Sequence, residues 1–350
     1  MRVAFVSAST RQHEPTDRAE RLHTLATELA DRGHEIDVFT TQWWDGDPDT
    51  FEHDGIEYRA VTQQSTDWQF PFRVPGLLNK FDPDVPHADC NPSGYLLGAK
   101  AGGSLARTPV LAECYDPPTA QGTVGQTLSS LAVRSAGAVV TPSRTVRTRV
   151  RELGVSTEAV DVVPTGIEME RIRALEPADG GDIVYSRRLD EAANLETLLL
   201  ALAEFREYDW TATVIGDGPE RASYERQARD LRIQDRVDFV GERSIDERIA
   251  LFKNAHVYVH TAEYTPFAVD LLRALAAGCV GLVEYHAESS AHELVEQRRR
   301  GFTATSAQEL TERLAAAGDL ERLNVDESFA EFDRRTFLER YLERYRELQS

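Results

Sequence analysis

Lysine is almost missing from this chain: Lys80, Lys100 and Lys253 are the only three, and the rest of the 39 basic residues are arginines. Acidic side chains number 59, so the net charge is −20. A surface of that sign repels phosphate backbones and opposes nonspecific contact with nucleic acid or an anionic membrane. Nucleic acid is therefore not expected as a partner. Self-repulsion of such a surface is relieved where a short Debye length screens it. An ordinary acidic protein would share the charge but not the lysine deficit, so the composition implies a salt-loving, halophilic microbial source.

Cysteine is scarce as well. Cys90, Cys114 and Cys279 are odd in number and lack C-x-x-C spacing, which argues against a zinc site or disulfide framework and fits small buried residues in a reducing cytosol. No apolar run approaches the roughly 18 residues of a membrane span, and MRVAFVSAS enters a strand with no signal-type segment before it. The expectation is a cytoplasmic protein, peripheral at most to the inner face of the membrane through transient surface contact. Several catalytic signatures are also missing. There is no G-x-S-x-G, P-loop or H-E-x-x-H, and no G-x-G-x-x-G follows the first strand, which argues against a Rossmann dehydrogenase. Glu284, His286, Glu288 and His292 lie close in sequence, but the two histidines do not share a helical face, so no metal site is expected.

What the sequence does contain is alternation. Short β-branched runs separated by helical patterns predict parallel sheets covered by helices. Strands are expected at Val3 to Ser7, Ile36 to Thr40, Ile56 to Val61, Val110 to Cys114 and Ala138 to Thr141, then at Ile183 to Tyr185, Ala212 to Ile215, Val237 to Val240, Val257 to His260 and Gly281 to Glu284. Leu22, Leu25, Ala26 and Leu29 share one face of a helix over Asp17 to Arg32, with Gly33 as its left-handed stop. VVPTGIEMERIRALEPADGGD, rich in Pro and Gly, reads as a connector between two series of strands. The expected fold class is α/β, two doubly wound Rossmann-like domains facing a central cleft: 1–166, 167–328, and a last amphipathic helix in 329–350. Open sheets of this kind bind ligands beyond the carboxyl ends of their strands.

Four stretches of the second half carry chemistry: YSRRLDEAANLETLLLALAEF, VIGDGPERASYERQA, AEYTPFAVDLLRALAAGC and VGLVEYHAESSAHELVE. In this order they resemble the retaining, sugar-nucleotide-dependent glycosyltransferases of GT-B fold, the large family-four group. MRVAFVSAS with LATELADRGHEIDVFTT, and AVVTPSRTVRTRVRELGV with VDVVPTGIE, are similar to the first half of that group, so the resemblance covers nearly the whole chain. It implies transfer of a sugar from a nucleoside-diphosphate sugar to an acceptor hydroxyl, and a final helix that crosses back to the N-terminal domain. The donor is a substrate, and no resident cofactor or metal is implied. The acceptor is a glycan, a lipid-linked molecule or a small molecule, in a setting such as surface-glycan or glycolipid assembly.

A diphosphate leaving group calls for cations and helix N-termini aimed at its oxygens. Arg188 stands where the family has its diphosphate-binding arginine; the alternative is a surface pair with Asp190 or Glu191. The resemblance implies that Arg188 is catalytic, and Asp270 is the expected second catalytic residue, a carboxylate outside the family's own glutamate places. The resemblance also places Arg187, Asn194, Gly216, Asp217, Gly218, Arg243, Thr265, Pro266, Phe267, Ala268 and Glu293 around the donor, with Thr265 as N-cap of a helix starting at Pro266. His87 and Asp89, in DVPHAD, fall on the acceptor side, where a buried structural histidine is the other reading of His87.

The chain also departs from the family pattern. Ala193 occupies the place of a lysine, so Arg187 or Arg243 would have to supply the second cation. Thr265 and Arg273 occupy the places of two glutamates, and Ser289-Ser290 replaces a glycine pair. Asp270 either takes a carboxylate role or complements the helix end. Glu293 binds a ribose hydroxyl or begins a helix. These departures keep a second function open, a catalytically silent module that binds a nucleotide or a partner. A sugar-nucleotide epimerase would need a further acid/base pair that the sequence does not display.

Overall fold

A computed structural model describes residues 1–46, 49–63, 68–118 and 122–350. The chain divides into two compact units, Met1–Thr165 with Arg335–Ser350, and Gly166–Arg334.

In the first unit the chain runs β1 (Arg2–Val6), α1 (Asp17–Asp31), β2 (Glu35–Thr41), β3 (Thr50–His53), β4 (Ile56–Thr62), α2 (Phe70–Phe81), β5 (Val85–Asp89), α3 (Ser93–Ala106), β6 (Leu111–Glu113), α4 (Gly122–Arg134), β7 (Ala138–Thr141), α5 (Arg144–Glu152) and β8 (Val160–Val162). The strand order is β3-β4-β2-β1-β5-β6-β7-β8, parallel except for the antiparallel pair of β3 with β4. Burial follows the two-residue period of a strand covered on both faces. Val3 and Phe5 of β1 join a core with Leu25, Ala26 and Leu29 of α1. Ala4 and Val6, on the other face, meet Val74 and Leu78 of α2 and Leu96 of α3. Thr16 caps α1 by accepting from the Ala19 amide, and Gly33, at φ 80°, follows its end.

The second unit continues with α6 (Met169–Ala174), β9 (Ile183–Ser186), α7 (Leu195–Glu204), β10 (Ala212–Ile215), α8 (Arg221–Asp230), β11 (Val237–Gly241), α9 (Ile245–Asn254), β12 (Val257–His260), α10 (Val269–Ala276), β13 (Val280–Glu284), α11 (His292–Val295), β14 (Gly301–Ala304) and α12 (Ala307–Gly318). Its six strands lie in the order β11-β10-β9-β12-β13-β14, all parallel. Leu198, Leu199 and Leu202 of α7 and Leu310 and Leu314 of α12 pack on one face of it. The chain ends in α13 (Arg334–Gln349), whose Phe337, Leu338, Tyr341, Leu342 and Tyr345 are buried beside α1 in the first unit. Each such side chain is worth about 1.5–3 kcal/mol of apolar burial.

Four features differ from the sequence reading. Cys90 and Cys114 pair as a disulfide, with Cα atoms 5.2 Å apart, because they end neighbouring strands and the Cys90 amide donates to the Glu113 carbonyl; only Cys279 is free and buried. The expected connector is structured: α6 buries Met169 and Ile172. Phe329, expected at the start of the last helix, instead lies in a 3₁₀ turn over Glu327–Phe332, under the guanidinium of Arg298, 4.0 Å from its ring centre. Finally, α10 starts at Val269 rather than Pro266, with Ala268 as a cap that has no side-chain bond.

Candidate functional site

The carboxyl edge of the six-stranded sheet gathers the residues singled out in the second half. β9 ends at Ser186, so Arg187 and Arg188 leave the sheet together. Their backbone is set by the Gly216-Asp217-Gly218 turn after β10. The Arg187 amide donates to the Ile215 carbonyl and the Leu189 amide to the Asp217 carbonyl. A Cβ on Gly216 would lie 2.0 Å from the Arg187 carbonyl oxygen, and one on Gly218 would lie 2.2 Å from that of Leu189. Glycine is thus required because two backbones touch. The turn buttresses the arginine loop, while Asp217 accepts from the Gly218 amide at 2.7 Å and pairs with Arg221.

The two arginines differ. Arg188 is exposed, 4.0 Å from Asp190. Arg187 is half-buried, and its Nη1 donates to the Tyr264 carbonyl at 3.0 Å and to Thr265 Oγ1 at 2.9 Å. Its Nε and the hydroxyl of Ser289 are buried with no hydrogen-bond partner among the described residues. Buried polar groups of this kind are rare in protein interiors, and each calls for a partner such as water or an ion.

Thr265 explains why α10 starts late. Its hydroxyl donates to the Tyr264 carbonyl, accepts from Arg187 and lies 3.1 Å from His260 Nε2, so it is not available to cap a helix. The Ser290 amide donates to the Thr265 carbonyl and the Ser290 hydroxyl to the Pro266 carbonyl. The Ser289-Ser290 pair therefore holds Thr265-Pro266 extended against the loop after β13. Phe267 and Ala268 are buried and precede the helix. Burial, with the Arg187 charge beside it, lowers the His260 pKa to about 3, so its ring is neutral.

Asp270 occupies the first turn of α10 with both oxygens engaged. Oδ2 accepts from Ser186 Oγ and from Arg248 Nη1, each at 2.6 Å, and Oδ1 from Arg273 Nη1 at 3.1 Å. Burial alone would raise its pKa, but Arg248, Arg273 and the Ser186 bond outweigh it and hold the carboxyl below its ordinary value. Asp270, expected as a catalytic group, is thus enclosed by protein donors on both oxygens. Asn194, left-handed at φ 50°, spends its amide on the Thr261 carbonyl at 3.1 Å and on Glu284 at 2.9 Å. It staples the ends of β12 and β13. Ala193 is fully buried, so the missing lysine is not replaced at that position, and Arg243 is exposed, bonded to the Glu242 carbonyl. Glu293 sits in the first turn of α11.

In the first unit His87 is buried. Its Nδ1 lies 2.8 Å from the Tyr345 hydroxyl and its Nε2 lies 3.3 Å from Glu113, which places it in the interior and not at an exposed rim. Asp89 is buried as well and accepts from the Ser7 hydroxyl. Residues missed in sequence are Ser186, Arg248 and Glu168, whose carboxylate faces Arg273. One signal was available for them: two opposite charges three residues apart, Asp270 and Arg273, in a helix otherwise of Val, Leu and Ala.

Comparison with known proteins bears on the family and the fold. The family described as Glycosyl transferase 4-like domain matches residues 19–166, and Glycosyl transferases group 1 matches 167–332. An alpha-monoglucosyldiacylglycerol synthase of Streptococcus pneumoniae is 25% identical over 93% of this chain and 81% of its own. Among solved structures, Anabaena Alr3699/HepE in complex with UDP superposes with TM-score 0.79 at 19% identity, covering 98% of this chain and 99% of that one. A glycosyltransferase from Rickettsia africae gives TM-score 0.82 at 13% identity, covering 99% and 98%. With two adjoining family matches that together span residues 19–332, the chain belongs to the group 1 glycosyltransferases of GT-B fold, enzymes that draw on a nucleotide-sugar donor.

Proposed function

We propose that this enzyme transfers a hexose or related sugar from a nucleoside-diphosphate sugar to an acceptor hydroxyl with retention at the anomeric carbon. The observation that carries the reading is the pair Arg187–Arg188 at the end of β9, one locked against Thr265 and one exposed, with the unpaired Arg187 Nε and Ser289 Oγ on the same rim. The bond from the anomeric carbon to the β-phosphate oxygen breaks, the acceptor oxygen bonds to that carbon on the same face, and the acceptor proton passes to the departing phosphate. Arginine donors stabilise the charge as it develops on the diphosphate. No protein carboxylate has to act as base, in keeping with Thr265 and Arg273 at the glutamate places. Asp270 and Asn194 support this rim, and Glu293 is assigned to a ribose hydroxyl. In the first unit, taken as the acceptor side, His87 and Asp89 are assigned to support.

UDP is the first nucleotide to try, since the similar Anabaena protein was solved with it. A lipid-linked acceptor is supported by exposed Trp68, Phe72, Val124, Leu128 and Leu131, the last three along one face of α4. The four arginines of α5 would favour transient contact with the inner face of a membrane. The lysine-poor, acidic composition supports a halophilic, archaeal source.

The test is turnover of UDP-, GDP- and dTDP-sugars by wild type and Arg188→Ala. Loss of one charge-assisted contact made chiefly in the transition state should remove about 2–4 kcal/mol, a fall of roughly two to three orders of magnitude in rate, with melting unchanged. Near-wild-type turnover in the variant removes Arg188 from the mechanism. Donor binding with no turnover across a broad acceptor panel would favour the silent module.

A further inference from the structure

Arg273 is buried in the second unit, at a position where the glycosyltransferase pattern has a carboxylate. Its guanidinium grips Glu168 with two bonds, Nε to Oε2 and Nη2 to Oε1, both 3.1 Å, and reaches Asp270 with its remaining nitrogen. Arg334 donates to Glu168 Oε1 from the other side. The charges alternate along the chain Arg334, Glu168, Arg273, Asp270, Arg248, and all four carboxylate oxygens are bonded. Burial would raise the Glu168 pKa, but Arg273 and Arg334 outweigh it and hold the carboxyl below its ordinary value.

The substitution at 273 is therefore tied to Glu168. A glutamate there would set two buried carboxylates against each other, whereas arginine satisfies Glu168 in a fork geometry that lysine cannot reproduce. Buried ion pairs are poor sources of net stability, because desolvation offsets most of the attraction. What they do supply is a fixed geometry. Two parts of the fold meet on this chain of charges. At one end the Ile167 amide donates to the Phe332 carbonyl at 2.8 Å and the Arg334 amide to the Ile167 carbonyl at 3.0 Å, so Glu168 ties the paired segments that bound the unit to α10. At the other end Asp270 holds the hydroxyl of Ser186, the residue before Arg187 and Arg188, whose carbonyl also accepts from Tyr258 at 2.9 Å.

We propose that Glu168 and Arg273 are positioning residues for the donor diphosphate, their pair acting through Asp270 and Ser186 to fix the strand end from which Arg187 and Arg188 project. The inference rests on the donor reading above. It makes the apparently degraded glutamate pattern a functional replacement, since a displacement of about 1 Å at a binding arginine is enough to cost an order of magnitude or more.

The experiment compares the full chain with Arg273→Lys, Glu168→Gln and Arg273→Glu. Calorimetry measures the Kd for UDP, GDP and dTDP, and thermal melting and circular dichroism establish the folded fraction. For the diphosphate that wild type binds, Arg273→Lys and Glu168→Gln should each raise the Kd of the folded protein about tenfold, and a folded Arg273→Glu should raise it at least as much. A purely structural pair would lower melting and leave the Kd of the folded fraction alone. Folded Arg273→Lys and Glu168→Gln proteins that bind within about twofold of wild type overturn the inference whether or not Arg273→Glu folds. A wild-type chain that binds none of the three diphosphates overturns the donor reading first and this inference with it, an outcome visible before any variant is made.

Discussion

Mild acid should weaken this fold through one identifiable imidazole. His260 ends β12 with its ring buried, and burial first, then Arg187, lower its pKa to about 3 from an ordinary 6.5. The folded value lies below the unfolded one, so the native state binds fewer protons. Its contribution is fully present above the unfolded pKa and is lost as pH falls from about 6.5 toward 3, at about 1.4 kcal/mol per unit. Between about pH 7 and about pH 5 the loss from this residue is about 2 kcal/mol. His260→Gln keeps a polar group beside Thr265 without titrating. His13, His34 and His256 also have lowered pKa values, but they act alike in both proteins, so the difference between wild type and variant isolates position 260. Urea unfolding at several pH values and constant ionic strength measures that difference. The variant should gain about 2 kcal/mol on wild type between the two pH values. A difference that stays flat refutes the neutral ring and, with it, the picture of a fixed Arg187 charge that disfavours a second cation at this edge.

Gly218→Ala should displace the arginine loop, because its Cβ would meet the Leu189 carbonyl; a strain of about 1–3 kcal/mol should appear as weaker nucleoside-diphosphate binding in a fluorescence titration, while Asp217→Ala, on a half-exposed side chain, changes less. Tyr341→Phe removes a hydroxyl that donates to Glu113 and accepts from Arg21 at 2.6 Å, and chemical denaturation should show a loss of about 1–3 kcal/mol. Melting should rise as potassium chloride is raised from about 0.1 M toward about 2 M, and a midpoint that is flat or falls with salt would remove the halophilic reading.

The parts of this fold visible in the sequence are those whose causes are local. Ala138–Thr141, Ala212–Ile215 and Val257–His260 stand as strands with their expected ends because an apolar β-branched run needs no distant partner to declare itself. β5, with Pro86 inside it, and the short β8 and β14 were harder to read, since sheet neighbours fixed them against weak propensity. Thr265-Pro266 has the local look of a helix start, yet Arg187, His260 and Ser290 claim its polar groups, and those partners are brought in by the sheet. Cys90 and Cys114 carry no spacing signal because what joins them is the adjacency of β5 and β6. Arg273 and Glu168 lie 105 residues apart, so a site departure could be seen in sequence but not its compensation. Arg188 and the Gly-Asp-Gly turn were legible because their order along the chain is itself the pattern.

The backbone pairing of Ile167 with Asp333 has a consequence for protein engineering. The second unit is, topologically, an insertion into the first: the chain leaves at Thr165, completes a six-stranded domain, and returns at Arg335. Because the two ends of the insert are hydrogen-bonded to each other, its excision requires no long bridge. A short Gly/Ser loop in place of 166–334 leaves α13 as a continuous extension of the eight-stranded unit. The excised piece carries its own clasp, with Glu168 and Arg334 closing its termini. The natural cut for separating the two units therefore lies beside the Ile167–Asp333 bridge, where the severed ends are as close together as the ends of one strand pair.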